Sequence, residues 1–128
     1  MWRTVFPAAS RLGFRAALPN LDFQTKHDGT VAVVAPTGEL DLPGAAVLEA
    51  ELERVEAEPR LGTVVLDLRG LGFMDSSGLR LVVMADMRLR EAGRRLVLVR
   101  GAETVQRVFE ITRIAERLEF VDDPGEAR

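Results

Sequence analysis

Two apolar runs separated by a helical segment occupy residues 63–99, TVVLDLRGLGFMDSSGLRLVVMADMRLREAGRRLVLV. The first run, TVVLDL (63–68), has too little polar alternation for a half-exposed strand, which predicts a strand inside a sheet that is covered on at least one face. The second run, LVLV (96–99), predicts another such strand. Strands joined through a helix pair in parallel by right-handed crossovers, so this stretch predicts an α/β architecture.

The segment between the two runs contains a loop and a helix. RGLGFM (69–74) is predicted as a loop. The helix is predicted to begin within DSSG (75–78) and to continue through about Ala92, because Gly93 is a typical residue beyond a helix C-terminus.

The flanking residues continue the alternation. LDFQTK and VAVVAP enclose a glycine-containing turn at residues 27–30, which predicts an antiparallel hairpin. A helix follows Pro43, residues 102–113 predict a third helix, and LEFV (118–121) predicts a last strand. We therefore predict a small mixed β-sheet of four to five strands, with an N-terminal antiparallel hairpin followed by alternating helices and strands. The predicted apolar face of the first helix comprises Leu48, Leu52 and Val55.

The length and composition predict a single domain. The 128 residues, 47% of them hydrophobic, are enough for one core and too few for two. Residues 1–20 read as an N-terminal extension, residues 21–123 as the domain, and residues 124–128 as a C-terminal tail. The extension is basic and has apolar residues at helical spacing. An amphipathic helix at a membrane surface or a partner, a helix on the domain's own core, and a poorly ordered segment all remain open.

Composition excludes several classes of function. The chain has no cysteine and one histidine, which argues against disulfides, thiol chemistry and a conventional zinc site, and fits a cytoplasmic protein. The net charge of -3 gives no electrostatic attraction to nucleic acid. No apolar run approaches the length of about 18 residues that a membrane-spanning helix needs.

The tetrapeptide DSSG (75–78) stands at the predicted start of the second helix. Short side chains with oxygen atoms accept hydrogen bonds from the unpaired amides of a starting helix, which stabilises it by about 1 kcal/mol. One such residue is enough for a cap, whereas three stand here in a row, after a loop in which Phe73 and Met74 look exposed. A phosphoryl group on a serine at this place would lie at the positive end of the helix dipole. The pattern fits both a cap and a phosphorylation site.

Other chemistries find little support in the sequence. A serine hydrolase would need His27 beside Ser76, and the G-x-S-x-G elbow is missing. The standard glycine-rich phosphate loops are missing as well. Asp67, near the end of the central strand, occupies the place of a receiver-domain phospho-aspartate, but the only lysine is Lys26, far upstream. We predict no catalytic residue, no metal site and no cofactor.

Residues 64–99 resemble a STAS domain of the anti-sigma factor antagonist type. The most specific motif is FMDSSG (73–78) followed by an apolar helix, with GELD (38–41) upstream and VQRVFEITRIAERLEF (105–120) downstream. The resemblance covers about residues 21–122 and implies a STAS fold.

The resemblance also implies a site. In that family the first serine after the aspartate is the regulatory phosphorylation site, which implies phosphorylation of Ser76 between Asp75 and Ser77. The aspartate of the GELD-like turn lies at the partner surface, which implies the same for Asp41. The complete set of predicted partner-binding residues is Asp41, Asp75, Ser77, Gly78, Arg80 and Met84.

The resemblance implies a bacterial partner switch that regulates sigma-factor-dependent transcription. The unphosphorylated protein would bind an anti-sigma factor that is a serine kinase and release the sigma factor. Phosphorylation of Ser76 would dissociate that complex, and a serine phosphatase would reset it. The alternative is a non-switching STAS module of a transporter, a lipid-export complex or a sensory assembly. Whether the protein is a monomer or a weak dimer stays open.

Two further expectations concern surfaces. On the second helix Leu79, Val83 and Met87 are predicted to face the core; Arg80, Leu81, Met84 and Arg88 form another stripe. Leu81 and Met84 are equally compatible with burial and with partner contact. The chain also ends after LEFV, where family members continue into a final helix, so we hypothesise that Trp2, Phe6 and Leu12 cover the surface which that helix would hide.

Overall fold

A computed structural model describes the backbone of residues 2–5 and all of residues 19–127. Within these residues the helices are α1 Leu42–Glu56, α2 Ser76–Glu91 and α3 Glu103–Ile111. The strands are β1 Trp2–Val5, β2 Leu21–Asp28, β3 Val31–Leu40, β4 Thr63–Asp67, β5 Leu71–Met74, β6 Arg95–Val99 and β7 Glu119–Val121. Short 3₁₀ turns occupy Leu68–Gly70, Ile114–Arg117 and Pro124–Ala127.

The strands form one mixed sheet in the order β1-β2-β3-β4-β6-β7, with β5 paired to the end of β3. The pairs β1–β2 and β2–β3 are antiparallel, and the others are parallel. The predicted hairpin is confirmed: Gly29 provides its turn with a φ of 61°. The predicted central position of TVVLDL is also confirmed, since β4 lies between β3 and β6.

The sheet is larger than the four to five strands predicted. One extra strand is β5, which lies inside the segment predicted as a loop. β3 is 10 residues long, and its pairing with β4 ends at Val34. β5 pairs with β3 between Gly38 and Leu40. It therefore provides hydrogen-bond partners for the part of β3 that continues beyond β4. The other extra strand is β1, which pairs with β2.

Strand β1 lies within the N-terminal extension, for which a helix is one of the predicted alternatives. Residues Trp2–Val5 are extended, so the amphipathic pattern does not produce a helix there. Residues 6–18, including Phe6 and Leu12, lie outside the described residues. The hypothesis that these side chains cover the surface that a final helix would hide therefore stays a prediction.

The three helices within the described residues contribute to a core on one face of the sheet. Leu48, Leu52 and Val55 of α1 are at most 1% exposed, which confirms the predicted apolar face. A smaller apolar cluster lies on the opposite face, where Val65 and Val97 pack with Ala127 of the last 3₁₀ turn. Residues up to Ala127 therefore belong to the packed domain rather than to a tail.

Among the described residues, none of the helices is long and apolar enough to cross a membrane. The same residues contain no group of three or more His, Cys, Asp or Glu side chains arranged to hold a metal ion.

Candidate functional site

Two strand-to-helix corners lie side by side at the carboxyl ends of β3 and β5. Leu40 and Met74 are parallel partners at the ends of these strands. An aspartate follows each of them, and the backbone amide of Asp75 donates to the carbonyl of Leu40 at 3.3 Å. The chain therefore brings Asp41 and Asp75, which are far apart in sequence, to adjacent positions.

Each aspartate caps the helix that it precedes. Asp41 accepts from the backbone amide of Gly44 at 3.0 Å, and Asp75 accepts from that of Ser77 at 2.8 Å. Short carboxylates at this position satisfy amides that have no partner within the helix. Because Asp75 is the cap, Ser76 is left as an exposed first residue of α2.

A glycine occupies the third helical position at both corners. A Cβ on Gly44 would lie 2.5 Å from the carbonyl oxygen of Glu39, and one on Gly78 would lie 2.6 Å from Cγ of Met74. Both distances are too short for real contacts, so the glycines allow each helix to begin directly against the strands. Gly78 is buried, which assigns it a packing role rather than the predicted place on the partner-binding surface.

A groove of about 600 Å³ separates α1 from α2 and opens beside Ser76. Of the predicted site residues, Ser76, Ser77, Arg80 and Met84 line it. The lining residues not predicted to belong to the site are Leu42, Ala45, Ala46, Glu49, Leu81 and Arg88. Asp41 and Asp75 are not among the lining residues; they cap the two helices whose sides form the groove.

Comparison with known proteins assigns the family. The model of the STAS domain family matches residues 22–127. The chain belongs to the STAS domain family. An anti-sigma F factor antagonist from Lysinibacillus sphaericus is 30% identical over 80 residues, which are 62% of this chain and 68% of that protein.

Solved structures share the fold of this STAS domain. An anti-sigma factor antagonist from Mycobacterium paratuberculosis has a TM-score of 0.70 and 23% identity, over 84% of this chain and 90% of that one. The Bacillus cell fate determinant SpoIIAA in its phosphorylated form has a TM-score of 0.65 and 24% identity, over 82% of this chain and 95% of that one. The predicted mixed sheet, hairpin and alternating helices are confirmed as the STAS fold.

The exposed apolar residues of this STAS domain differ in part from the predicted ones. Phe73 is 47% exposed, as predicted, whereas Met74 is 4% exposed because the next residue of a strand points to the opposite face. Leu81 is 5% exposed and belongs to the core, while Met84 is 43% exposed at the groove. Met87, predicted to face the core, is 50% exposed.

An ion-pair cluster joins the two helices, and two of its members, Arg88 and Glu49, line the groove. Arg88 of α2 contacts carboxylates of Glu49 and Glu56 on α1, each at 2.9 Å. Burial raises the pKa of Glu49, and Arg88 opposes that effect. The hydrogen bond from Arg88 to Glu56 is the main cause of a raised Arg88 pKa.

Arg80 differs from Arg88 in its partners. It is exposed at the groove, and no residue in the described part of the chain forms a hydrogen bond or an ion pair with its side chain. The STAS domain therefore has one guanidinium engaged across the groove and another available beside Ser76.

Two residues considered for other chemistries lie apart from the groove. Asp67 accepts hydrogen bonds from the backbone amide and the guanidinium of Arg69, the shortest at 2.8 Å. His27 lines a separate depression with Gly29, Glu58 and Arg60. Since Ser76 lines the groove and His27 lines this depression, the structure does not bring together the serine and histidine that a hydrolase would need.

Proposed function

We propose that this STAS domain is an anti-sigma factor antagonist that is switched by phosphorylation of Ser76. The observation that carries the proposal is the exposed Ser76 at the mouth of the α1–α2 groove, with the cap supplied by Asp75 instead. Its hydroxyl is not needed for the helix, so it is free to accept a phosphoryl group. The relative from Lysinibacillus sphaericus, an anti-sigma F factor antagonist, supports the class of function.

The groove supplies a docking surface for the unphosphorylated form. Leu42 is 72% exposed and Met84 43% exposed, so two large apolar residues at the groove keep much of their surface in contact with solvent. Apolar residues of this size release water when a partner covers them, which favours association. Arg80 adds a positive charge that fits an acidic group on the kinase.

Phosphorylation of Ser76 opposes binding to the kinase because it adds negative charge. The kinase transfers the γ-phosphoryl group of its ATP to Oγ of Ser76, ADP leaves, and the hydroxyl proton passes to a base of the kinase. The product carries about -1.5 to -2 charges at neutral pH. At a helix N-terminus this charge does not harm folding, but burying it in an interface near Asp41 and Asp75 is unfavourable. A serine phosphatase restores the binding form in the cytoplasm.

The test combines phosphorylation with binding. The purified chain is incubated with candidate kinase anti-sigma factors and Mg-ATP, the phosphate is located by mass spectrometry, and complex formation is followed by size-exclusion chromatography. We expect one phosphate on Ser76 and loss of the complex. Ser77→Ala is the matched control, since it removes the neighbouring hydroxyl and should still be phosphorylated.

Two outcomes would contradict the proposal. Phosphate on Ser77 in the unmodified chain, with Ser76→Ala still responsive, would move the switch to the neighbouring serine. A stable complex with no phosphate on either serine would favour the alternative, a non-switching STAS module of a transporter, a lipid-export complex or a sensory assembly.

A further inference from the structure

Arg80 lies one helical turn after Ser76 on α2, and both residues line the groove. Residues separated by four positions on a helix have Cβ atoms about 5–6 Å apart. Pairs in this relation are most favourable when the acid comes first and the base second, in keeping with the helix dipole. A phosphoryl group on Ser76 would stand in the position of that acid.

The surrounding charges leave Arg80 as the available cation. Arg88, the other arginine along the groove, already pairs with Glu49 and Glu56. Among acids, Glu49 is held by Arg88, while Asp41 and Asp75 accept from backbone amides of the two helices. Within the described residues, no carboxylate competes for the Arg80 side chain.

We propose that Arg80 pairs with the phosphoryl group of Ser76 within the same chain. The inference rests on the proposed phosphorylation of Ser76 and adds a second consequence to it. A guanidinium offers several donors in a planar fork that matches phosphate oxygens. Phosphorylation then introduces a dianion and also withdraws Arg80 from the surface that the kinase contacts.

Arg80 lies four positions after Ser76 and three after Ser77, and both separations make residues neighbours on the surface of a helix. The two serines differ in exposure, since Ser76 is exposed and Ser77 is half-buried. The pair with Ser76 is therefore the more accessible one.

The test measures the phosphate itself. The full chain is produced with phosphoserine incorporated at position 76 during translation, and its second pKa is measured by ³¹P NMR titration. An exposed ion pair of about 0.2–1 kcal/mol corresponds to a pKa lower by about 0.2–0.7. We expect Arg80→Gln to raise the phosphate pKa by that amount, and Arg80→Lys, which keeps the charge, to restore most of the lowering.

Arg60→Gln is the matched control. Arg60 is exposed, lines the separate depression with His27, and its loss changes the net charge equally. We expect this variant to keep the phosphate pKa of the unmodified sequence, and 1 M salt to reduce the effect of Arg80→Gln. Equal pKa values in Arg80→Gln, Arg60→Gln and the unmodified sequence would overturn the inference. Because the phosphoserine is installed without a kinase, a failure of the proposed partner switch would leave this result unchanged, so the two failures are distinguishable.

Discussion

The two strand-to-helix corners share one design and differ at the two residues after the cap. At the first corner Asp41 is followed by Leu42 and Pro43, and at the second Asp75 is followed by a pair of serines. Both aspartates cap and both third positions are glycine. The shared residues therefore build the corner, whereas the residues in between determine what it presents: an apolar side chain at the first and hydroxyls at the second.

The largest effect is expected at the glycines. Ala at position 44 would meet the backbone oxygen of Glu39 at 2.5 Å, whereas Ala at position 78 would meet side chains of Met74 and Leu40 at 2.6 and 2.8 Å. Side chains yield more easily than backbone. From the usual range for overpacking, we expect Gly44→Ala to lower the free energy of unfolding by about 2–3 kcal/mol and Gly78→Ala by about 1–2 kcal/mol.

Urea unfolding followed by circular dichroism measures both changes. Gly72→Ala is the control, since its Cβ would have a nearest neighbour at 3.9 Å. We expect this control to stay within about 0.5 kcal/mol of the unmodified protein. A larger loss for Gly78→Ala than for Gly44→Ala would show that the second corner, not the first, is the less adaptable one.

The next effect concerns binding rather than folding. Ser76→Asp places a charge where the helix dipole favours it, so stability should be unharmed. Affinity for a kinase anti-sigma factor should fall about tenfold for each 1.4 kcal/mol of unfavourable charge burial. Calorimetric titrations of Ser76→Asp and Ser76→Ala against the same partner, with melting curves alongside, measure the difference. Equal affinities would remove the functional distinction between the corners.

A smaller effect is expected from the caps. Asp41→Ala and Asp75→Ala should each lower the free energy of unfolding by about 0.5–2 kcal/mol, because each leaves a helix amide without its acceptor. Ser76→Ala should change it by less than about 0.5 kcal/mol, since Asp75 is the cap. Thermal unfolding of the three variants tests this order. A loss in Ser76→Ala as large as in Asp75→Ala would mean that the serine shares the capping role.

The second corner is largely predictable from the sequence because its signals are local. The helix start at DSSG, the terminating Gly93 and the apolar run of β4 each depend on neighbouring residues. β5 is not predictable in this way, because it exists only where the long β3 extends beyond β4, and Gly70 before it and Gly72 within it are typical of a loop. That pairing joins residues far apart in sequence.

The predicted core stripe of α2 is right at Leu79 and wrong at Met87, for a different reason. The predicted core stripe advances by four residues each time, from Leu79 to Met87, and a helix turns once every 3.6 residues. Such a stripe drifts around the helix, so Met87 becomes exposed while Val82, Ala85 and Leu89 are buried. The α1 side of the groove is likewise beyond local patterns, because it depends on how α1 and α2 lie next to each other.

The smallest predicted effect is the pH dependence that Glu49 contributes across the groove. Burial raises its folded pKa above 4.5, so the native state binds this proton more tightly than the unfolded chain. Its stabilising contribution is present at low pH and is lost as the pH rises from about 4.5 through the raised pKa. The free energy of unfolding of Glu49→Gln, measured relative to that of the unmodified protein, should therefore be higher at pH 7 than at pH 4.

The pH dependence of stability that Glu119 contributes has the opposite sign, so Glu119 serves as the control. Its hydrogen bonds from Arg95, one of them at 2.7 Å, lower its pKa below 4.5. That stabilising contribution is present above about pH 4.5 and is lost as the pH falls through the lowered pKa. Glu119→Gln should therefore lower the free energy of unfolding more at pH 7 than at acidic pH. Both differences should stay below about 1 kcal/mol, as for other partly exposed ion pairs. Urea unfolding from pH 3 to pH 7 measures how the stability difference of each variant changes with pH. Changes of the same sign would show that burial does not dominate the pKa of Glu49.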